Sequence, residues 1–129
     1  VNAAEYGLME KKSYFKKENN KQLILQVEGR EGIDSLHNIL DIRDFDVLFI
    51  GPYDLSQSVG YPGETDHPKV VELINEIADK VKNSGKILGT FTDKTDDIKK
   101  LKSQGFEYIA YSVDVAIYAN ALKKIVKTI

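Results

Sequence analysis

Four short apolar runs, each followed by a segment with apolar residues at helical spacing, divide this chain of 129 residues. The runs cover residues 22–27, 47–50, 86–91 and 107–111. Each is short and almost continuously apolar, which is typical of a strand that is buried on both faces. Strands that alternate with helices predict an α/β fold with a parallel sheet and right-handed crossovers.

The segments between the runs predict helices over residues 29–41, 68–84, 94–104 and 114–127, and residues 7–20 predict an extra N-terminal helix. The clearest of them begins at Pro68 and ends before Gly85. Residues 51–67 are rich in glycine and proline and predict a long loop, a feature that is usually functional in a compact domain. Gly89, inside the third strand, predicts close approach of a neighbour.

The composition narrows the class of protein. Lysine and arginine total 18 against 20 aspartates and glutamates, giving a formal net charge of -2, whereas nucleic-acid-binding domains are normally strongly basic. There is no cysteine for a disulfide or a thiolate metal site. No apolar run approaches the roughly 20 residues that cross a bilayer. We therefore expect one domain, residues 1–129, in a cytoplasmic protein that binds neither nucleic acid nor membrane.

Two acidic residues follow successive predicted strands: Glu28 comes after the first, and Asp54 comes after the second and its Gly-Pro stop. Consecutive parallel strands are usually neighbours, so both carboxylates would lie at one edge of the sheet. Without a basic neighbour they repel unless a cation or a proton joins them. Two interpretations stay open: the pair holds a hard divalent ion such as Mg²⁺ or Mn²⁺, or each residue caps the following helix.

The sequence around these residues resembles the HpcH/HpaI aldolase family, which consists of class II, metal-dependent pyruvate aldolases with TIM barrels. The segments that carry the resemblance are Gln26-Val27-Glu28, Gly-Pro-Tyr-Asp-Leu-Ser at 51–56, Gly-Tyr-Pro-Gly at 60–63 and His67-Pro68. The resemblance extends over nearly the whole chain. It implies four successive β/α units that correspond to the second half of a (β/α)8 barrel.

The same resemblance implies a site. Glu28 and Asp54 would be the protein ligands of a divalent metal ion (Mg²⁺, Mn²⁺ or Co²⁺), and Gln26 would line the catalytic site where pyruvate binds. The backbone around Gly51, Pro52 and Tyr53 would receive the carboxylate of pyruvate. The implied reaction is aldol cleavage or condensation of 4-hydroxy-2-oxo acids, giving pyruvate and an aldehyde through a metal-stabilised pyruvate enolate.

The resemblance also shows what this chain lacks. A full barrel has eight strands in about 250 residues, and in the family a catalytic histidine and a substrate-binding arginine come from the early strands. His37 is predicted within a helix and His67 at a helix start, so neither replaces that histidine. Lys86 opens its strand, at the wrong end of the sheet for a Schiff base.

Three arrangements would protect the open edges of a half barrel. Two copies can close a barrel as a homo-oligomer, which we favour; an N-terminal half can complete it; or the units can flatten into a doubly wound sheet. The alternative function is a catalytically incomplete half barrel that keeps the metal ligands. A third possibility is a CoA-ester lyase of the citrate lyase β type, which shares the barrel scaffold.

Overall fold

The computed structural model describes residues 21–128, so the helix predicted over residues 7–20 lies outside the described part of the chain. Four strands form one sheet in the order β1-β2-β3-β4, and every pair is parallel. The strands are β1 (Ile24–Val27), β2 (Val47–Ile50), β3 (Ile87–Thr92) and β4 (Tyr108–Tyr111). The predicted α/β fold of four successive β/α units is confirmed.

Helices follow every strand. They are α1 (Arg30–Asp34), α2 (Leu36–Leu40), α3 (Pro52–Ser58), α4 (Pro68–Ser84), α5 (Thr95–Ser103) and α6 (Asp114–Val126). Within residues 21–128, none of these helices is long and apolar enough to cross a membrane.

The hydrophobic core lies on one face of the sheet. Alternate strand residues such as Val27, Leu48 and Leu88 pack with residues of α2 and α4, among them Leu36 and Ile77. A doubly wound sheet would instead carry helices on both faces. Successive strands that are adjacent in space, joined by crossovers of one hand, put their helices on one side, as in a barrel wall.

The opposite face of the sheet carries a different set of side chains. Across the four strands, Gln26 pairs in register with Phe49, Phe49 with Gly89, and Gly89 with Tyr108. None of these four residues belongs to the core cluster. Gln26 and Tyr108 are exposed. This face corresponds to the inside of a barrel wall, and the candidate site lies at its carboxyl edge.

The helix predicted over residues 29–41 is divided in the structure. Ser35, with φ -95° and ψ 5°, separates α1 from α2. Gly29, Gly32 and Ser35 all have weaker helix propensity than alanine or leucine, which favours an interruption of the helix in this segment. The prediction of one continuous helix was wrong, although its apolar stripe does pack on the core.

The loop predicted over residues 51–67 begins with a helix. Pro52 occupies the first position of α3, where a missing N–H costs nothing. Leu55 is completely buried and anchors α3 in the core. Only the second part of the segment is a turn, with Gly60 and Gly63 at φ 88° and 79°. The proline that indicated a loop therefore marks a helix start.

The boundaries predicted for α4 are confirmed. His67 is the N-cap, and its Nδ1 accepts a hydrogen bond from the Lys69 N–H at 3.3 Å. The His67 ring also stacks on Tyr61, with centroids 3.6 Å apart. Gly85, at φ 77°, ends the helix in the left-handed conformation. His67 thus has the structural role that its position predicted.

Lys86 lies at the end of the sheet opposite the candidate site. Its Nζ donates to the carbonyl oxygens of Arg43 and Phe45, at 3.0 and 2.7 Å. These carbonyls precede β2, so the ammonium group lies beside the amino ends of the strands. The prediction that Lys86 is misplaced for a Schiff base at the carboxyl edge is confirmed.

Gly89 allows the middle of the sheet to pack closely. A Cβ there would lie 3.0 Å from Val47 Cγ1, 3.1 Å from Phe49 Cδ2 and 3.3 Å from the Tyr108 carbonyl oxygen. The predicted close approach is confirmed.

We expect Gly89→Ala to lower the free energy of unfolding by about 1–3 kcal/mol, because the added methyl group meets a strand backbone and two packed side chains. Chemical denaturation measures the change. Gly29→Ala is the matched control, since its added methyl group has no atom within 4 Å and its change is expected to stay below about 1 kcal/mol. Equal losses in the two variants would contradict this packing constraint.

Candidate metal and oxo-acid site

The site is built where β2 ends beside β1. The Gly51 N–H donates to the Val27 carbonyl oxygen at 3.2 Å and so continues the pairing of the two strands by one residue. An added Cβ at Gly51 would lie 2.7 Å from Gln26 Nε2 and 2.9 Å from Glu28 Oε2. Glycine is therefore required for these two side chains to lie over the backbone of β2.

Gln26 and Glu28 lie on the same face of the chain, as their spacing predicts. The Gln26 side-chain amide donates a hydrogen bond to Glu28 Oε2. This bond orients the Glu28 carboxylate and leaves the Gln26 carbonyl oxygen available as an acceptor. Glu28 is half-buried and Gln26 is exposed.

Asp54 lies in the first turn of α3 and lines a surface cavity together with Gln26 and Gly51. Ser56 holds this turn: its hydroxyl donates to the Tyr53 carbonyl oxygen at 2.6 Å and accepts from the Gly63 N–H at 3.0 Å. Ser56 is completely buried. The buried hydroxyl joins α3 to the turn at Gly63. This contact gives a structural reason for a serine two residues after the exposed Asp54.

A surface cavity joins these elements. Its lining residues are Gln26, Phe49, Gly51, Pro52, Tyr53, Asp54 and Phe91. Among residues 21–128, no lysine, arginine or histidine lines this cavity, so no basic side chain of the described lining neutralises Asp54. The cavity combines a carboxylate, an amide and three aromatic rings.

The sequence left open whether Glu28 and Asp54 cap helices. The N-cap positions of α1 and α3 belong to Gly29 and Gly51, and no side chain makes a capping hydrogen bond at either helix. The capping interpretation is therefore wrong for both residues. Their carboxylates are available for another role.

The donor set fits a hard divalent cation. Carboxylate and amide oxygens are the ligands of Mg²⁺ and Mn²⁺, which also keep several water or substrate ligands. Within residues 21–128 there is no group of three or more histidine, cysteine, aspartate or glutamate side chains that could enclose a metal ion. Glu28 and Asp54 would supply two ligands, and the others would come from water and substrate.

The carboxylate-binding role predicted for Gly51, Pro52 and Tyr53 remains a prediction, and the structure refines which groups could perform it. The Gly51 N–H already donates to Val27, and Pro52 has none. The N–H groups of Tyr53 and Asp54 lie in the first turn of α3, where a helix offers no internal acceptor. These two are the candidate donors.

Sequence reasoning missed Phe91 and Asp93, which lie at and after the end of β3. The Phe91 ring is 6.0 Å from that of Tyr53, at 64°, and the Tyr53 hydroxyl donates to Asp93 Oδ2 at 3.1 Å. Burial, followed by this hydrogen bond, raises the pKa of the Tyr53 hydroxyl. Asp93 was detectable, because it is the first acidic residue after its strand, as Glu28 and Asp54 are.

The model of the HpcH/HpaI aldolase/citrate lyase family matches residues 2–121. Because that match spans most of the chain, the chain belongs to this family. It is 35% identical over 121 residues to 2-keto-3-deoxy-L-rhamnonate aldolase of Escherichia coli K12. The alignment covers 93% of this chain and 45% of the relative.

Solved structures of the family show the same fold. An HpcH/HpaI aldolase/citrate lyase family protein from Burkholderia cenocepacia superposes with a TM-score of 0.81 and 29% identity, over 99% of this chain and 49% of that one. For an HpcH/HpaI aldolase from Desulfitobacterium hafniense the TM-score is 0.78 with 27% identity, over 99% and 47%. The chain spans about half the length of these TIM-barrel-like relatives.

Gly51→Ala tests the close approach at the site. We expect the side-chain amide resonances of Gln26 to shift in two-dimensional NMR spectra, because the new methyl group displaces the Gln26–Glu28 pair. The free energy of unfolding should fall by about 1 kcal/mol, since the added Cβ meets the mobile ends of Gln26 and Glu28 but also lies 3.1 Å from Glu28 Cβ. Unmoved Gln26 resonances would contradict the proposed crowding.

Proposed function

We propose that this chain forms the metal- and pyruvate-binding part of a class II aldolase that acts on 4-hydroxy-2-oxo acids. The observation that carries the proposal is the arrangement around Gly51 at the carboxyl edge of a parallel sheet: the hydrogen-bonded pair Gln26 and Glu28 lies against Gly51, and Asp54 lines one cavity with Gln26 and Gly51. The carboxyl ends of barrel strands are where such enzymes place their chemistry.

The chain would contribute binding and orientation. Glu28 and Asp54 would hold the divalent cation, and Gln26 would keep Glu28 in place while presenting its carbonyl oxygen. The N–H groups of Tyr53 and Asp54 would receive the carboxylate of pyruvate. When bound, the cation would act as a Lewis acid that stabilises negative charge on the keto oxygen of the substrate.

A catalytically incomplete half barrel is the second candidate, because this sequence offers no histidine at the site. Its two histidines are His37 and His67. The His37 side chain is 91% exposed on the outer helix α2, beside Asp41, and His67 caps α4. A histidine that accepts the proton would have to come from outside these 129 residues, in the same polypeptide or in another chain.

Calorimetric titration tests the metal site. With Mg²⁺ or Mn²⁺ in the presence of oxalate, an unreactive analogue of pyruvate enolate, we expect one site per chain. Asp54→Asn and Glu28→Gln should each weaken cation affinity by about tenfold or more, because each removes one of only two protein ligands.

Asp44→Asn is the matched control for the loss of charge. Asp44 is exposed in the turn before β2, at the opposite end of the sheet, so cation affinity should stay at the wild-type value. An absence of binding in the wild type, or equal binding by the Asp54 and Asp44 variants, would overturn the proposed site.

Self-association would complete the proposed enzyme. Among residues 21–128, strands β1 and β4 each have a partner on one side only, and open edges of this kind favour pairing with another chain. Helix α6 buries none of its residues. Its side chains Val115, Ile117, Tyr118, Leu122, Ile125 and Val126 are between 44% and 70% exposed. An apolar surface of this kind is typical of an interface.

Light scattering during size-exclusion chromatography measures the assembly. We expect a dimer or a larger homo-oligomer, because a second copy covers α6 and the strand edges. Leu122→Lys should shift the equilibrium towards monomer, whereas Glu76→Lys, on the exposed side of α4, should not. A stable wild-type monomer would contradict self-association.

Release of pyruvate from a 4-hydroxy-2-oxo acid then separates the two candidate functions. An active homo-oligomer supports a complete aldolase. Activity that appears only after an N-terminal half of a family member is added supports the incomplete half barrel.

A further inference from the structure

Two side-chain contacts join the segment that follows β2 to the loop that follows β3. The first joins the Tyr53 hydroxyl to Asp93 Oδ2 at 3.1 Å. The second is an ion pair between Lys94 Nζ and Asp66 Oδ2, also at 3.1 Å. Tyr53 stands at the start of the segment between β2 and α4, and Asp66 stands near its end. The short connection after β3 therefore holds both ends of the segment that contains α3.

The connection after β3 is itself fixed. Thr92, the last residue of β3, is buried, and its Oγ1 accepts a hydrogen bond from the Lys94 N–H at 3.1 Å. Asp93 lies between these two residues. The Asp93 carboxylate thus starts from a defined backbone position at the end of a central strand.

Tyr53 separates two cavities. Its ring lines the candidate site together with Gly51 and Asp54, and it also lines a second cavity, between α4 and α5, that includes Asp93 and Asp97. The Phe91 ring lies edge-on to the Tyr53 ring and lines both cavities as well. The direction of the Tyr53 side chain therefore sets one wall of the candidate site.

We propose that Asp93 is a positioning residue: by binding the Tyr53 hydroxyl it fixes the first turn of α3, so that the Tyr53 and Asp54 N–H groups and the Asp54 carboxylate face the substrate. This inference rests on the proposed function, because it concerns how the same site is held. Asp93 itself touches neither metal nor substrate in this arrangement.

A helix of seven residues needs such support. An isolated helix of this length is unstable in water, so its first turn keeps its geometry only through tertiary contacts. Leu55 and Ser56 hold the buried side of α3. On the exposed side, Tyr53 contacts the end of β3 in two ways, edge-on with the Phe91 ring and through the directional hydrogen bond to Asp93. Its loss would let the first turn sample other orientations while the core stays packed.

The experiment compares the wild type with four single variants, Tyr53→Phe, Asp93→Ala, Asp93→Asn and Asp96→Asn, and with the double variant Tyr53→Phe/Asp93→Ala. Oxalate affinity in the presence of Mg²⁺ is measured by calorimetry well below the unfolding temperature of each variant. Hydrogen exchange of the Tyr53 and Asp54 amides is measured without ligand.

We expect Tyr53→Phe and Asp93→Ala each to weaken oxalate affinity about three- to tenfold, in line with a hydrogen bond to a charged group that is partly exposed to water. The double variant should lose no more than either single variant, because both remove one bond. Exchange at the Tyr53 and Asp54 amides should accelerate in both. Asp93→Asn should restore most of the affinity, since its side-chain carbonyl still accepts from the hydroxyl.

Asp96→Asn removes a charge of the same sign three residues further along, in the first turn of α5, and should bind oxalate as the wild type does. If Asp93→Ala lowers the unfolding temperature but leaves oxalate affinity and amide exchange unchanged, Asp93 is only structural and the inference is overturned. If the wild type binds neither Mg²⁺ nor oxalate, the proposed function fails, and the positioning role fails with it.

Discussion

The hydrogen bond from the Gly51 N–H to the Val27 carbonyl oxygen determines how the chain leaves the sheet. It carries the pairing of β1 and β2 one residue beyond β2 and holds the Gly51 backbone against Gln26 and Glu28. The proline that follows can then begin α3 with no N–H to satisfy, and the first turn of α3 brings Asp54 to the same edge. Any larger residue at position 51 would push these groups apart.

The hydrophobic core packs on one face of the sheet, which determines where the proposed site lies. Successive crossovers of one hand place the packed helices on one face, so the other face, with Gln26, Phe49 and Tyr108, belongs to the inside of a barrel wall. Within the part of the chain that the structure describes, the same topology leaves β1 and β4 as the edges of the sheet. The chain thus presents the proposed metal ligands on a surface that needs a second wall. The two candidate functions, a complete aldolase and a catalytically incomplete half barrel, therefore differ in what covers this surface and not in the proposed ligand pair.

Local contacts decide how rigid the proposed site is. The buried hydroxyl of Ser56 ties α3 to Gly63, and Leu55 anchors the same helix in the core. On the solvent side the Tyr53–Asp93 and Asp66–Lys94 contacts hold the segment from the connection after β3. The short helix that carries Asp54, a proposed metal ligand, is therefore supported from two directions. Pre-organisation of this kind reduces the entropy lost when a ligand binds.

The sequence by itself determined the order of the strands and helices and the parallel sheet. It also identified Glu28 and Asp54 as the first acidic residues after two successive strands. These features depend on hydrophobic periodicity and on position relative to strand ends, which are local properties of the chain. Sequence also placed His67 and Lys86 correctly, because a proline beside a histidine and a lysine at a strand start constrain them locally. The rule that identified Glu28 and Asp54 would have identified Asp93 as well.

Only the tertiary structure decided the remaining points. Glycine and proline content cannot distinguish a loop from a loop that begins with a short helix, so α3 was missed; its stability comes from Leu55 in the core. The break at Ser35 and the occupied N–H of Gly51 follow from packing and from pairing with β1, which involve residues distant in sequence. The Tyr53–Asp93 bond joins residues 40 positions apart, and the pairing of β2 with β3 brings them together.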